Sequence, residues 1–158
     1  MGVGDSFGVS YYKAQLSAGT KLPKTGALLI SVNDRDKGAV IGTARRFAAL
    51  GFRVKATGGT ATFLKEMGVA AQSVFKVSEG RPNCIDLIKS GDVDLIINTS
   101  LGATSARDGW AIRTAAIQHG VPCITTLSGA AAAVSAITAL RDETIDVVSL
   151  QEIHANAT

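Results

Sequence analysis

The stretch Arg53-Val-Lys-Ala-Thr-Gly-Gly-Thr-Ala-Thr-Phe-Leu-Lys-Glu-Met-Gly68 constrains the fold more than any other part of the chain. Its β-branched Val54 and Thr57 give way at Gly58-Gly59 to Ala61, Leu64 and Met67, which recur at helical spacing, so a strand runs straight into a helix. The joint is a Thr-Gly-Gly-Thr turn. Glycine there removes the Cβ atoms that keep an anion off the backbone, Thr60 can serve as N-cap, and the first helical N–H groups point at whatever binds. The same four residues also suit a tight turn that needs glycine for positive φ and binds nothing. The neighbouring strand ends have to decide between the two.

The alternation repeats along the chain. Residues 27–32 form an apolar, β-rich run, Asn33-Asp-Arg-Asp-Lys37 a polar turn, and Val40, Ile41, Ala44, Phe47 and Ala48 one face of a helix ending near Gly51. After the stretch above, residues 72–77 predict a third strand and Ile85, Leu87 and Ile88 a short helix stopped by Gly91. Residues 93–99 are the most strand-like run, apolar on both faces as in a central parallel strand. A loop then leads to a helix opened by Asp108 and carrying Trp110, Ile112, Ala116 and Ile117. Residues 121–126 predict a fifth strand, 128–140 an Ala-rich helix and 146–153 a last extended piece. Strands alternating with helices of this length make βαβ units. The expected class is α/β, a three-layer, mostly parallel five-stranded sheet with helices on both faces.

Residues 1–26 differ from the rest. Glycines, serines and Pro23 punctuate them, and only the segment from Phe7 to Leu16 predicts a short helix, with Phe7, Tyr11 and Leu16 on one side. They read as a linker, with residues 27–158 as the folded domain. Tyr11 and Tyr12 read as packing residues. The net charge of +3 comes from Lys and Arg scattered along the chain, and aromatics make up only 5%, which argues against a nucleic-acid face and for a small anion. Cys84 and Cys123 have neither disulfide-framework nor zinc spacing and read as buried thiols in a reducing compartment. No run approaches a membrane span and no signal peptide opens the chain, so it is expected in the cytoplasm.

In parallel sheets, ligands sit beyond the carboxyl ends of the strands. Those ends bring Ser31 with Lys37, Thr57-Gly58-Gly59-Thr60, Lys76, Asn98-Thr99-Ser100, and Thr125-Thr126 to one edge. Two ammonium groups, several hydroxyls, one amide and a helix N-terminus compose an anion pocket. The chain has neither a G-x-x-x-x-G-K-[ST] loop nor a G-x-G-x-x-G turn, and His119 and His154 fit no catalytic constellation. The pocket binds a phosphate without an evident acid or base to transform its bearer.

Several motifs together carry a family resemblance: Ala56-Thr-Gly-Gly-Thr-Ala61, Lys76-Val-Ser-Glu-Gly-Arg-Pro82, Asp86-Leu-Ile-Lys-Ser-Gly91, Ile96-Ile-Asn-Thr99 and Val148-Ser-Leu-Gln-Glu-Ile-His-Ala155. The chain resembles the C-terminal allosteric domain of the carbamoyl phosphate synthetase large subunit, which has the methylglyoxal-synthase-like fold. The resemblance covers nearly the whole chain and makes residues 1–26 the connection out of the preceding synthetase domain. It implies a fragment that makes no bond and holds no cofactor; the parent's ATP, Mg or Mn, and K sites lie elsewhere. It also implies nucleotide effectors, uridine monophosphate (UMP) and inosine monophosphate (IMP), and as partners the rest of the large subunit, the small glutamine amidotransferase subunit and self-association through this domain.

The family's effector contacts fall on Ser31, Lys37, Thr57, Thr60, Lys76, Asn98, Thr99 and Ser100, with Gly59 in the turn. Thr125 falls in the region that holds a second effector, ornithine, in responsive relatives. There the family shows Tyr-Asp-Thr, whereas this chain has Cys123-Ile124-Thr125, so the carboxylate for the ornithine ammonium is missing. A rival from another class is methylglyoxal synthase, a lyase acting on dihydroxyacetone phosphate. It needs catalytic aspartates, one of them in a Gly-Gly-Asp loop, where this chain has Leu101-Gly-Ala-Thr-Ser-Ala-Arg-Asp108 with Asp108 as a helix cap. The cyclohydrolase half of the bifunctional purine enzyme shares Thr57-Gly-Gly-Thr60 but not the C-terminal motif.

Overall fold

The computed structural model describes residues 2–99, 103–142 and 147–155. Helix α1 (Phe7–Ser17) precedes β1 (Ala27–Val32), a 3-10 turn (Asp34–Asp36), α2 (Lys37–Ala49), β2 (Arg53–Thr57), α3 (Gly58–Glu66) and β3 (Gln72–Val74). There follow α4 (Cys84–Lys89), β4 (Leu95–Thr99), α5 (Ala103–Gln118), β5 (Cys123–Ile124), α6 (Leu127–Asp142) and α7 (Leu150–Ala155). The five strands form one sheet in the order β3-β2-β1-β4-β5, and each pairing is parallel. From β1 the chain winds outward to β3 and then crosses to the other side of β1 for β4. The direction of winding therefore switches between β1 and β4, where parallel sheets open a crevice.

Side-chain alternation divides the core between the two faces of the sheet. Leu28, Ile30, Val54, Ala56, Leu95 and Ile97 pack with Val40, Phe47, Leu64, Val134 and Ile137 from α2, α3 and α6. On the opposite face Leu29, Val74 and Ile96 meet Cys84 and Ile88 of α4 and Ile112 and Ala116 of α5. Burial on both sides is why β1 and β4 read as continuous apolar runs. Truncating a fully buried Ile or Phe here costs about 2–5 kcal/mol.

Several elements depart from the sequence expectation. The third and fifth strands are shorter, at Gln72–Val74 and Cys123–Ile124. Both lie at sheet edges with a ladder on one side only, and Phe75 keeps a single bridge, to Asn83. Residues 147–155 are not extended: α7 forms because Ser149 and Glu152 cap each other, the Ser149 Oγ accepting from the Glu152 N–H at 3.2 Å and Glu152 Oε2 from the Ser149 N–H at 2.7 Å.

Helix α5 starts at Ala103, so Asp108 lies inside it and does not cap it. Ile112 and Ala116 are buried as expected, but Trp110 and Ile117 are 67% and 82% exposed. In α1 the buried residues are Gly8 and Val9, and Phe7 is exposed. Helix α1 lies against α6, and a Cβ at Gly8 would stand 2.6 Å from the Ser135 carbonyl oxygen. Tyr11 and Tyr12 pack against the core beside this contact.

Candidate functional site

At the carboxyl edge of β1, β2 and β3 a small cavity of about 60 Å³ is lined by Ser31, Lys37, Thr57, Gly59, Thr60 and Lys76, all anticipated from the sequence, together with Asn33, Asp34, Asp108 and Gly109. That is room for roughly four waters or one phosphate group. Each strand places its residue by register: Ser31 and Thr57 stand at or next to the ends of β1 and β2, and Lys76 follows β3. Thr57 and Thr60 are 1% and 2% exposed while lining the cavity, so their hydroxyls are fixed by packing.

The Thr-Gly-Gly-Thr joint works differently from either sequence reading. Neither Gly58 nor Gly59 has positive φ, and Thr57, not Thr60, occupies the N-cap position. Thr57 makes no side-chain cap bond, whereas the side-chain oxygens of Ser6, Asn83 and Thr126 accept from backbone N–H groups in the first turns of α1, α4 and α6. The leading N–H groups of α3 thus remain available to a ligand, at the positive end of the helix. Gly59 leaves room for Lys37: a Cβ there would come 3.2 Å from Lys37 Nζ, a tight contact that a small shift of the flexible lysine end relieves. The Lys37 ammonium is thereby brought over the helix start.

Lys37 Nζ is 2.7 Å from Asp34 Oδ1, and the lysine side chain is 22% exposed against 91% for the aspartate. The hydrogen bond from Lys37 and its charge hold the Asp34 carboxyl below the usual carboxylate range against desolvation, with Lys76 contributing least. Asn33 fixes the turn. Its Oδ1 accepts from the Arg35 and Asp36 N–H groups, and its Nδ2 donates to Asp36 Oδ2 at 2.6 Å and to the Thr99 carbonyl at 2.7 Å. The turn after β1 is thereby tied to the end of β4.

Asn98, Thr99 and Thr125 line a second cavity of about 460 Å³ on the β4 and β5 side of the switch, with Asp36, Arg113, Thr126, Leu127 and Ser128. Arg113 Nη1 donates to Asn98 Oδ1 at 3.3 Å. Ser100, anticipated at this edge, lies outside the described residues. The structure therefore gathers the anticipated residues into two neighbouring cavities. Sequence reasoning missed Asn33, Asp34, Asp108 and Arg113. For Asn33 and Asp34 the signal was present in the polar turn directly after β1; for Asp108 and Arg113 it lay in the helical spacing of α5, once the helix start is placed at Ala103.

Asp108 accepts a hydrogen bond from Ser78 Oγ at 3.2 Å, tying α5 to the loop after β3. Burial pushes both thiols, Cys84 and Cys123, up to about 11, and neither cysteine is in a disulfide. Among the described residues no group of three or more His, Cys, Asp or Glu could hold a metal ion, and no helix is long and apolar enough to cross a membrane.

The MGS-like domain family matches residues 39–125. The carbamoyl phosphate synthase large chain of Archaeoglobus fulgidus is 49% identical over 155 residues, which are 98% of this chain and 14% of that protein. The C-terminal section of the carbamoyl phosphate synthase large chain of Methanopyrus kandleri is 49% identical over 155 residues, 98% of this chain and 29% of its own length. The corresponding section from Aquifex aeolicus is 47% identical over 159 residues, 98% of this chain and 30% of its length. The chain thus spans less than a third of these curated relatives. A crystal structure of methylglyoxal synthase from Elizabethkingia anophelis superposes with a TM-score of 0.53 over 70% of this chain and 76% of that one, at 17% identity, a likeness of fold.

Proposed function

The chain belongs to the MGS-like domain family, in the form carried by carbamoyl phosphate synthase large chains, and we propose on that premise that it is the regulatory part of such an enzyme. The small cavity takes the phosphate of a nucleoside monophosphate effector, UMP or IMP, and the wider cavity beside it takes the sugar and base. One observation carries this reading: two lysines, Ser31, two buried threonines and Gly59 surround a space the size of one phosphate at a helix start that no side chain caps. Lys37 and Lys76 neutralise charge, while Thr57, Thr60 and the α3 N–H groups hydrogen-bond the phosphate oxygens. Asn98 and Thr99 hold sugar or base.

The chain itself makes no bond and needs no cofactor. The parent enzyme uses glutamine and ATP, with Mg or Mn and K, to make carbamoyl phosphate for pyrimidine and arginine biosynthesis in the cytoplasm. Its synthetase domains and its glutamine amidotransferase subunit are the partners of this chain, and residues 1–26 connect to the former.

Calorimetric titration of the chain with UMP and IMP tests the reading, saturable binding of at least one being the expected result. A second reading, methylglyoxal synthase, draws support from Asp108, whose position on the phosphate cavity puts a carboxylate beside any phosphorylated ligand. Turnover of dihydroxyacetone phosphate to methylglyoxal would establish that reading; none is expected.

A further inference from the structure

The Lys37 ammonium already has an anion. Asp34 Oδ1 stands 2.7 Å from it, and the carboxylate also feels the charge of Lys76, the second cation of the phosphate cavity. The carboxylate oxygen on Lys37 takes the contact that a phosphate oxygen would make with this ammonium. The neighbouring acid is treated differently: Asp36 is clamped at 2.6 Å by Asn33, which also fixes the turn through the Arg35 and Asp36 N–H groups. Among the described residues, Asp34 makes its one ion pair with Lys37 and is not tied to the turn.

We propose that Asp34 is a built-in competitor at the phosphate site, which caps Lys37 when the site is empty and must swing aside when a ligand phosphate arrives. The inference rests on the phosphate-binding reading above. The two exposures decide which partner moves. Lys37, at 22%, is packed over Gly59, whereas Asp34, at 91%, returns to water at little cost. A phosphate dianion replaces the carboxylate with greater charge and more acceptor oxygens, but a monoanion offers Lys37 no more than Asp34 does. Asp34 therefore works as a repulsive element that sets the threshold against weak anions such as carboxylates.

The test is titration of the chain and its Asp34→Asn variant with inorganic phosphate and with acetate. Because an exposed pair is being removed, phosphate should bind the variant about 2- to 5-fold more tightly, and acetate should gain as much or more. A second measurement follows the Asp34 carboxyl carbon by NMR at about pH 8, where phosphate is a dianion. Its chemical shift should move toward that of a free carboxylate as phosphate saturates the protein, because Lys37 has then left it. Unchanged or weaker phosphate binding in Asp34→Asn, or an Asp34 carboxyl signal that phosphate does not move, overturns the proposal while leaving the phosphate site standing. If the unmodified chain binds no phosphate at all, the reading of the site falls and this inference falls with it.

Discussion

The two cavities beside the switch between β1 and β4 share a strand edge and differ in nearly everything else. One measures about 60 Å³ and carries two lysines, two carboxylates and an uncapped helix start; the other measures about 460 Å³ and offers one arginine, one clamped carboxylate and a set of hydroxyls and amides. A tight, highly charged space admits one group of fixed size and charge, because a misplaced ion there is desolvated without compensation. A wide polar space exchanges partners through water with little loss. Under the proposed function the small cavity would read that a phosphate is present and the large one what the phosphate is attached to. Effector identity could then change through the second cavity without rebuilding the first.

Helix α5 and the turn after β1 border both cavities: Asp34 of the turn lines one and Asp36 the other, and on the helix Asp108 and Gly109 line one and Arg113 the other. Between them Ile112 is 1% exposed against Leu29 and Ile96. Ile112→Ala is expected to lower stability by about 2–5 kcal/mol and to weaken ligand binding at both cavities together. Trp110→Ala, on the exposed side of the same helix, should change stability by no more than about 0.5 kcal/mol. Chemical denaturation of the two variants checks the pair, and a Trp110 effect as large as that of Ile112 would show that the outer face of α5 is covered in solution.

Lys37→Ala should cost about 1.5–3 kcal/mol of binding, equally for inorganic phosphate and for a nucleoside monophosphate, since a charge-assisted bond in a partly buried site is removed. Lys76 is exposed, so Lys76→Ala should cost less, about 0.5–1 kcal/mol, and its loss should shrink with added salt. Thr125→Val, in the wide cavity, should leave phosphate untouched and weaken only the nucleotide, by about 0.5–1.5 kcal/mol. Calorimetry with both ligands separates the cavities; a loss of phosphate affinity in Thr125→Val would erase the division of labour.

The succession of strands and helices, the parallel sheet and the residues that line the small cavity were legible because each depends on local pattern. Apolar runs bounded by glycine give βα units, and a parallel sheet then brings every strand end to one edge, so Ser31, Lys37, Thr57, Thr60 and Lys76 meet without any knowledge of side-chain geometry. The errors arose where the deciding contact is tertiary or reciprocal. Apolar spacing on α5 cannot tell Ile112 from Trp110, because the sheet covers only one side of the helix. The extended reading of residues 146–153 overlooked Ser149-Leu-Gln-Glu152, a capping box whose two hydrogen bonds outweigh the β-branched Val147 and Val148 before it. Gly59 read either as opening the backbone to an anion or as a positive-φ turn; its φ is not positive, and what an added Cβ would crowd is Lys37 Nζ, which comes from another element. Asp34 pointed the same way: an acid beside a lysine in a polar turn carries meaning only once both face one cavity.

The two thiols extend the comparison to pH. Cys84 is fully buried on the α4 side of the sheet, and Cys123 is half-buried at the β5 edge. Desolvation favours the neutral thiol and raises both from 9.0 to about 11, so the folded chain retains protons that the unfolded chain releases. Stability is thus undiminished below pH 9 and falls as pH rises from 9 toward 11, by roughly 2 kcal/mol for Cys84 and less for the partly exposed Cys123. Denaturant midpoints across that range check the slope, and Cys84→Ser Cys123→Ser should flatten it. A thiol reagent at neutral pH should modify Cys123 well before Cys84.

The smallest expected effect is a response that should be nearly absent. An ammonium ligand entering the wide cavity needs a carboxylate or several oxygens to replace its water. Thr125 lines that cavity, and with the half-buried Cys123 and Ile124 it also borders a separate cavity of about 590 Å³ beside Gln15 and Lys21, whose described lining holds no carboxylate either. The one carboxylate among the described lining residues is Asp36, whose Oδ2 already accepts from Asn33 at 2.6 Å and whose release would loosen the tie between the β1 turn and Thr99. An ammonium at this place gains one ionic contact only by disturbing the turn that presents Lys37 to the phosphate. Ornithine is therefore expected to change the parent enzyme's rate by less than about twofold, while a nucleotide effector retains an ordinary coupling of about 1–3 kcal/mol. Steady-state rates of the parent enzyme with and without ornithine measure this directly. Strong activation that survives Asp36→Asn would place the missing carboxylate in another part of the large chain; strong activation that Asp36→Asn abolishes would show that Asp36 holds the ammonium and that the turn after β1 couples the two cavities, and the separation between them would no longer hold.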